Sequence, residues 1–223
     1  MISFDEALVR RIDMFIESLF VPGDPILAAN IANANAAGLP PINVTPNQGK
    51  FLYLLARIAG ARRVLEIGTL GGYSTTWLGR ALPADGRLIT LEYRQVHAET
   101  ARRNLAAAGL DGIVEVRVGD AAASLSAMIA AGEPPFDFVF VDADKTGYVK
   151  YLDLALQLSR PGTVIVADNI IRNGEVMEDS PENPNARGAQ AYNAAVASHP
   201  RLESIALPMF KNKIDGIAIS RVK

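Results

Sequence analysis

The chain has 223 residues, of which 49% are apolar and 21% charged, with a formal net charge of −2. This suits one soluble globular domain over 1–223 with a large core, and nothing in the balance suggests a basic nucleic-acid-binding protein. Cysteine is absent and histidine occurs twice, which excludes disulfides, thiolate zinc, iron–sulfur clusters, a cysteine nucleophile and a histidine-rich metal centre; any metal must be held mainly by oxygen, as magnesium is.

The opening stretch, MISFDEALVRRIDMFIESLF, mixes acids and bases through its apolar residues. It lacks the apolar core of a signal peptide, and no run approaches the roughly 18 apolar residues of a membrane span. A cytoplasmic protein is expected. Leu8, Ile12, Phe15, Ile16 and Leu19 recur at helical spacing. A second helix is expected from about Asp24 to Ala37. GLPPINVTPNQG then interrupts the pattern, and QGKFLYLLARIAG resumes it as far as Gly60. Residues 1–60 read as a helical extension on an α/β core spanning 61–223.

From Arg62 onward short β-branched runs (RVLEIG, GRLITLE, IVEVRVG, FDFVFVD, GTVIVAD) alternate with helical stretches. That rhythm predicts a doubly wound, mostly parallel sheet with helices on both faces. LESIALPMF and KIDGIAISRV follow each other closely and read as an antiparallel pair closing the sheet. Ligands of such sheets sit at the carboxyl ends of the strands. There this chain carries Glu66 and Gly68, Glu92, Gly119 and Asp120, Asp142, and Asp168 and Asn169.

VLEIGTLGGYS follows the first strand and opens a helix. Gly68, Gly71 and Gly72 permit a tight turn and close approach of a ligand, but they do not fit the dinucleotide pattern G-x-G-x-x-G. The pattern is E-x-G-x-x-x-G, and Glu66 would repel a phosphate. Glu92, ending the second strand, can accept two ribose hydroxyls. An adenosine ligand without pyrophosphate follows, and S-adenosylmethionine (SAM), with its sulfonium and amino acid tail, fits. A fold binding NAD stays as an alternative. Asp120 either faces adenine or caps the next helix.

Asp142 ends the fourth strand, and Asp168 and Asn169 end the fifth. Neighbouring parallel strands bring these ends together. Two carboxylates and an amide oxygen suit magnesium or a similar hard cation. Lys145 lies near this set, where a desolvated amine with a depressed pKa can act as general base toward a hydroxyl. The alternative for Asp144 and Lys145 is a solvated loop, with Asp144 as a cap.

These segments, above all GLPPINVTPNQGKFLYLLARIAGARRVLEIGTLGGYS, FVDADK and VADN, resemble the cation-dependent O-methyltransferases, the group of catechol and caffeoyl-CoA O-methyltransferases, over nearly the whole chain. The resemblance implies a class I methyltransferase fold, a seven-stranded sheet with the last strand antiparallel. It implies a SAM site at Val44, Glu66, Gly68, Thr69, Ser74, Glu92, Ala121 and Asp142, and a divalent cation (magnesium, manganese or calcium) on Asp142, Asp168 and Asn169. Lys145 matches the catalytic lysine, and Asp144 and Asn173 match substrate-touching positions. A homodimer is implied as well. The acceptor class expected is a small vicinal aromatic diol, with a hydroxylated tRNA base or a non-catalytic SAM-binding role as alternatives. Residues 170–188 read as a mobile loop over the acceptor pocket, with Ile42 and the N-terminal helices as another wall. His97 is expected on a polar helix face, His199 at a helix end, Trp77 beside adenine or in the core, and the pairs Arg62–Arg63 and Arg102–Arg103 on solvated faces.

Overall fold

The structure, a computed structural model, describes residues 5–210 and 214–223. Lys213, expected to begin the last strand, lies outside them. Three helices come first: α1 (Glu6–Phe20), α2 (Pro25–Ala36) and α3 (Pro46–Ile58). The alternating core follows with β1 (Arg63–Ile67), α4 (Tyr73–Ala81), β2 (Arg87–Glu92), α5 (Gln95–Ala107), β3 (Val114–Val118), α6 (Ala121–Ala130), β4 (Phe136–Val141), α7 (Tyr148–Gln157) and β5 (Ser159–Asp168). The chain closes with α8 (Pro184–Ser198), β6 (Leu202–Phe210) and β7 (Ile214–Val222).

The strands form one seven-stranded sheet in the order β3-β2-β1-β4-β5-β7-β6. Pairing is parallel from β3 through β5, while β7 runs antiparallel to both β5 and β6. The doubly wound sheet with a closing antiparallel strand is therefore as the sequence predicts. Among the described residues no helix is long and apolar enough to cross a membrane.

Strand β4 shows why the core is two-layered. Phe138 and Phe140 pack with α3 and α4 residues such as Leu52 and Trp77, while Val139 and Val141 pack with Tyr148 and Leu152 of α7. Alternation along the strand assigns the layers. Phe136 breaks the alternation and joins the α7 layer, where the register against β5 shifts between Phe136 and Phe138.

One expectation needs correction. Helix α3 begins at Pro46, two residues before Gln48. The reason is a capping box: Gln48 N–H donates to Thr45 Oγ1 at 3.1 Å and Thr45 N–H to Gln48 Oε1 at 3.0 Å, with proline at the first turn. The basic pairs largely keep the solvated faces expected of them: Arg62, Arg102 and Arg103 are exposed and Arg63 is half-buried. Both Arg62 and Arg63 donate backbone N–H groups to Asp137 Oδ2, and Arg63 pairs with Glu133 at 2.5 Å. Arg102 reaches the Val116 carbonyl at 2.7 Å.

Candidate active site

The strand order reverses between β1 and β4, the point where a doubly wound sheet opens a crevice at its carboxyl ends. A cavity of about 1030 Å3 lies there. Gly68 marks its floor. Its φ is +100°, and a Cβ there would stand 2.0 Å from the Asp142 carbonyl oxygen. Only glycine satisfies both the backbone conformation and the approach. Asp142 N–H donates to the Ile67 carbonyl at 2.9 Å, so β1 and β4 present the glycine turn and Asp142 side by side.

Glu66 is placed differently from the other predicted donor-site residues. It is fully buried beneath the turn and is not part of the cavity lining. Its carboxylate accepts from Ser74 Oγ at 2.6 Å, Thr75 Oγ1 at 2.5 Å and Thr90 Oγ1 at 2.7 Å. It thus fastens α4 and β2 to β1. Burial, with a smaller push from the Asp142 charge, raises its pKa from 4.5 to about 7. Folded Glu66 then holds a proton that the unfolded chain has released, so stability declines as pH rises from 4.5 to about 7 and is level above. The decline is worth about 3 kcal/mol. Glu66→Gln is expected to remove that slope from the difference between wild-type and variant unfolding free energies measured by urea titration at several pH values.

Val44, Thr69, Ser74, Glu92 and Ala121 all line the cavity. Glu92 Oε2 accepts from Leu70 N–H at 2.9 Å and Thr69 N–H at 3.3 Å, and Oε1 accepts from Arg94 N–H at 2.8 Å. The acid is therefore held by three backbone donors. His97 is not on a polar outer face. It lines the cavity with Nδ1 3.3 Å from Glu92 Oε1, because one turn of α5 swings it back over the end of β2. Asp120 serves both ways: it caps α6 through Ala123 N–H at 2.7 Å and faces the cavity. Trp77 belongs to the core, in edge contact with Tyr53.

Asp142, Asp144, Lys145, Asp168 and Asn169 meet on the other side of the same cavity. Lys145 is buried, and its Nζ donates to Asp142 Oδ1 at 3.0 Å, the Ala143 carbonyl at 3.1 Å and Tyr148 Oη at 2.8 Å. Tyr148 is fully buried and sits 3.0 Å from both the Val141 and Asp168 carbonyl oxygens. Its single proton goes to one of these, leaving its oxygen to receive the lysine. Asp168 is buried too. Burial first, and then the Asp142 charge, raises its pKa to about 7. Asp168 Oδ1 accepts from Asn169 N–H at 2.8 Å, and Asn169 takes the left-handed φ of 58°. A buried carboxylate, Asp168, and a half-buried one, Asp142, stand beside one ammonium, which bonds only Asp142, an excess of negative charge that a bound cation would relieve. Among the described residues no three His, Asp or Glu side chains gather into a metal set, so a cation here would rest on two carboxylates and an amide. The set fits a hard divalent ion.

Asp144 lines the cavity and also accepts from Gly147 N–H at 3.0 Å and Tyr151 Oη at 2.5 Å. Asn173 does not line it: its Oδ1 accepts from Ile214 N–H at 3.1 Å. Of the N-terminal extension, the stretch from Pro41 to Gln48 reaches the cavity, whereas α1 and α2 contribute no lining residue. The segment after Asn169 has defined structure. A 3-10 turn runs from Arg172 to Met177, and α8 already begins at Pro184. Asp215 Oδ1 accepts from Ile171 and Arg172 N–H, both at 3.1 Å. Asp215 and Arg172 line the cavity as well, two residues that sequence reasoning passed over.

A seven-stranded doubly wound sheet with this polar cavity at its switch point defines an α/β enzyme of the class I methyltransferase architecture. The family model described as O-methyltransferase matches residues 24–223, and the chain belongs to that family. It is 46% identical over 217 residues to the catechol O-methyltransferase of Niastella koreensis, covering 97% of this chain and 98% of that one. It is 47% identical over 213 residues to the catechol O-methyltransferase of Mycobacterium tuberculosis, covering 95% of each. Among solved structures, an O-methyltransferase from Bacillus cereus in complex with SAH is 42% identical, with a TM-score of 0.96 over 98% of this chain and 100% of that one.

Proposed function

We propose that this protein is a SAM-dependent, divalent-metal-dependent O-methyltransferase that methylates one hydroxyl of a small vicinal aromatic diol. The observation carrying the reading is that a glycine turn beside Glu92 and an Asp142–Asp168–Asn169 set beside Lys145 share one cavity. Relatives named catechol O-methyltransferase at 46% and 47% identity, and a neighbour solved with SAH, support it.

On this reading Glu92 and the Thr69–Leu70 turn receive the ribose, and the backbone at Gly68 allows the amino acid tail close approach. Asp142, Asp168 and Asn169 hold the cation, which when bound supplies Lewis acidity toward a phenolic oxygen. Lys145, once it has released to solvent one of the three protons it donates in the resting site, takes the hydroxyl proton, and the Ala143 carbonyl and Tyr148 Oη hold its amine in place. Alignment of donor and acceptor in one walled cavity supplies much of the acceleration. Asp120 and Asp144 on the wall favour a small acceptor over a polyanion such as tRNA.

The test is methyl transfer from SAM to a panel of catechols, with magnesium and with chelator. Activity lost on chelation and restored by magnesium is expected. Activity indifferent to chelator would remove the metal role from Asp142, Asp168 and Asn169.

A homodimer is part of the same proposal. Helix α1 leaves Leu8, Ile12, Phe15 and Leu19 exposed along one face, Phe15 at 65%, and α3 adds Ile58 at 80%. A contiguous apolar face of this kind suits a partner surface. Sedimentation at micromolar concentration is expected to give twice the 23.9 kDa chain mass, and the double change Phe15→Asp with Leu19→Asp to give the monomer. A monomeric wild type would refute this.

A further inference from the structure

We propose that Arg172 recognises an anionic substituent, a carboxylate, on the ring of the acceptor. The inference rests on the reading of that acceptor as a vicinal aromatic diol.

The carboxylates lining the cavity already have partners. Glu92 takes backbone N–H groups at Thr69, Leu70 and Arg94. Asp142 takes Lys145, Asp144 takes Tyr151 and Gly147, and Asp120 takes Ala123 N–H. Asp168 takes Asn169 N–H, and Asp215 takes the N–H groups of Ile171, Arg172 and Gly216. The cations differ. Lys145 is saturated by three acceptors. Arg172 lines the cavity, yet its Nε is buried with no hydrogen-bond partner, and its guanidinium enters no ion pair among the described residues. A buried donor left without an acceptor is costly and rare in native proteins.

The backbone gives independent evidence that this placement is built. Arg172 has a φ of +54° and Asn173 one of +55°. The left-handed conformation is ordinary for asparagine but costs free energy at Arg172, where it persists because surrounding bonds impose it. Here Asp215 fixes the Ile171 and Arg172 N–H groups, and Asn173 fixes Ile214. The outcome is a turn, strained at Arg172 and three residues beyond Asn169, that places the half-buried Arg172 along the cavity. Pro41, Ile42 and Met209 supply apolar lining for a ring. A guanidinium fork matches a carboxylate in a planar, two-bond arrangement that an ammonium cannot copy. An acceptor with the diol at one end of the ring and a carboxylate at the other would satisfy the metal set and Arg172 together.

The test uses a vicinal dihydroxybenzoate and its neutral methyl ester. Each is titrated calorimetrically into the protein with magnesium and SAH present, and kcat/KM is measured for both. Wild type is expected to bind the carboxylate about tenfold or more tighter than the ester. Arg172→Met is expected to collapse that ratio toward one, and Arg172→Lys to restore part of it. A ratio near one in wild type, a ratio that survives Arg172→Met, or no binding of either ligand would overturn the proposal. If a variant does not fold, the wild-type ratio still decides. Methylation of both ligands without charge preference would leave the methyltransferase reading intact and remove this one. Carboxylate binding that depends on Arg172 without any methylation would do the reverse.

Discussion

Lys145→Ala is expected to lower kcat by about two to four orders of magnitude, the range that removal of a positioned general base produces. The side chain is buried, and its three contacts to Asp142, Ala143 and Tyr148 point the amine at the end of β4, where the acceptor hydroxyl would lie. Lys145→Arg separates the roles of charge and base. It preserves a cation beside Asp142, but guanidinium does not give up its proton in proteins, so kcat is expected to stay low. Single-turnover rates at saturating SAM and catechol, with donor affinity measured by titration, make the comparison. A kcat in either variant within a few fold of wild type would remove Lys145 from the proton transfer.

Gly68→Ala is expected to cost about 3–5 kcal/mol of stability and to abolish measurable donor binding. Two penalties coincide there. The φ of +100° lies where side chains are strained, and the added methyl would stand 2.0 Å from the Asp142 carbonyl oxygen. Relief requires β1 and β4 to separate at their carboxyl ends, which displaces Asp142 from the place proposed for it beside the donor and the cation. Gly109→Ala is the control: that residue also has positive φ, +69°, but nothing stands within 4 Å of an added Cβ. Urea denaturation and SAH calorimetry on both variants distinguish backbone strain from collision. Equal losses in the two would discount the close approach.

Much of the fold is legible in the chain because strand and helix periods alternate cleanly after Arg62, and because the acids stand at strand ends. The convergence of Asp142 with Asp168 follows from parallel pairing of β4 and β5. What sequence could not supply depends on contacts between distant segments. Glu66 reads as a donor-facing acid, yet hydroxyls from α4 and β2 enclose it from outside its own strand. His97 reads as a surface residue because helical phase alone does not say which side of α5 passes the end of β2. Arg172 carries no motif, and although Asn173 and Gly174 suit a left-handed turn, the positive φ at Arg172 itself is one its own propensity disfavours. The first two helices resemble a pocket wall in their apolar spacing, but much of α1's apolar face is left outside.

No residue of the turn from Arg172 to Met177 is buried as a whole, although the Arg172 Nε is, and Asp215 and Asn173 fasten it at its base through main-chain N–H groups. Main-chain anchors on neighbouring residues do not depend on which side chains the rest of the turn carries. Mutations along the turn therefore threaten folding far less than mutations at Glu66, inside β1, or at Gly68, just past its end. Over many generations the two halves of the cavity should diverge at different speeds. On the proposed reading, the half facing the methyl donor is expected to stay fixed while the other samples new acceptors, so that one catalytic frame could supply a lineage of enzymes with different small-molecule tastes.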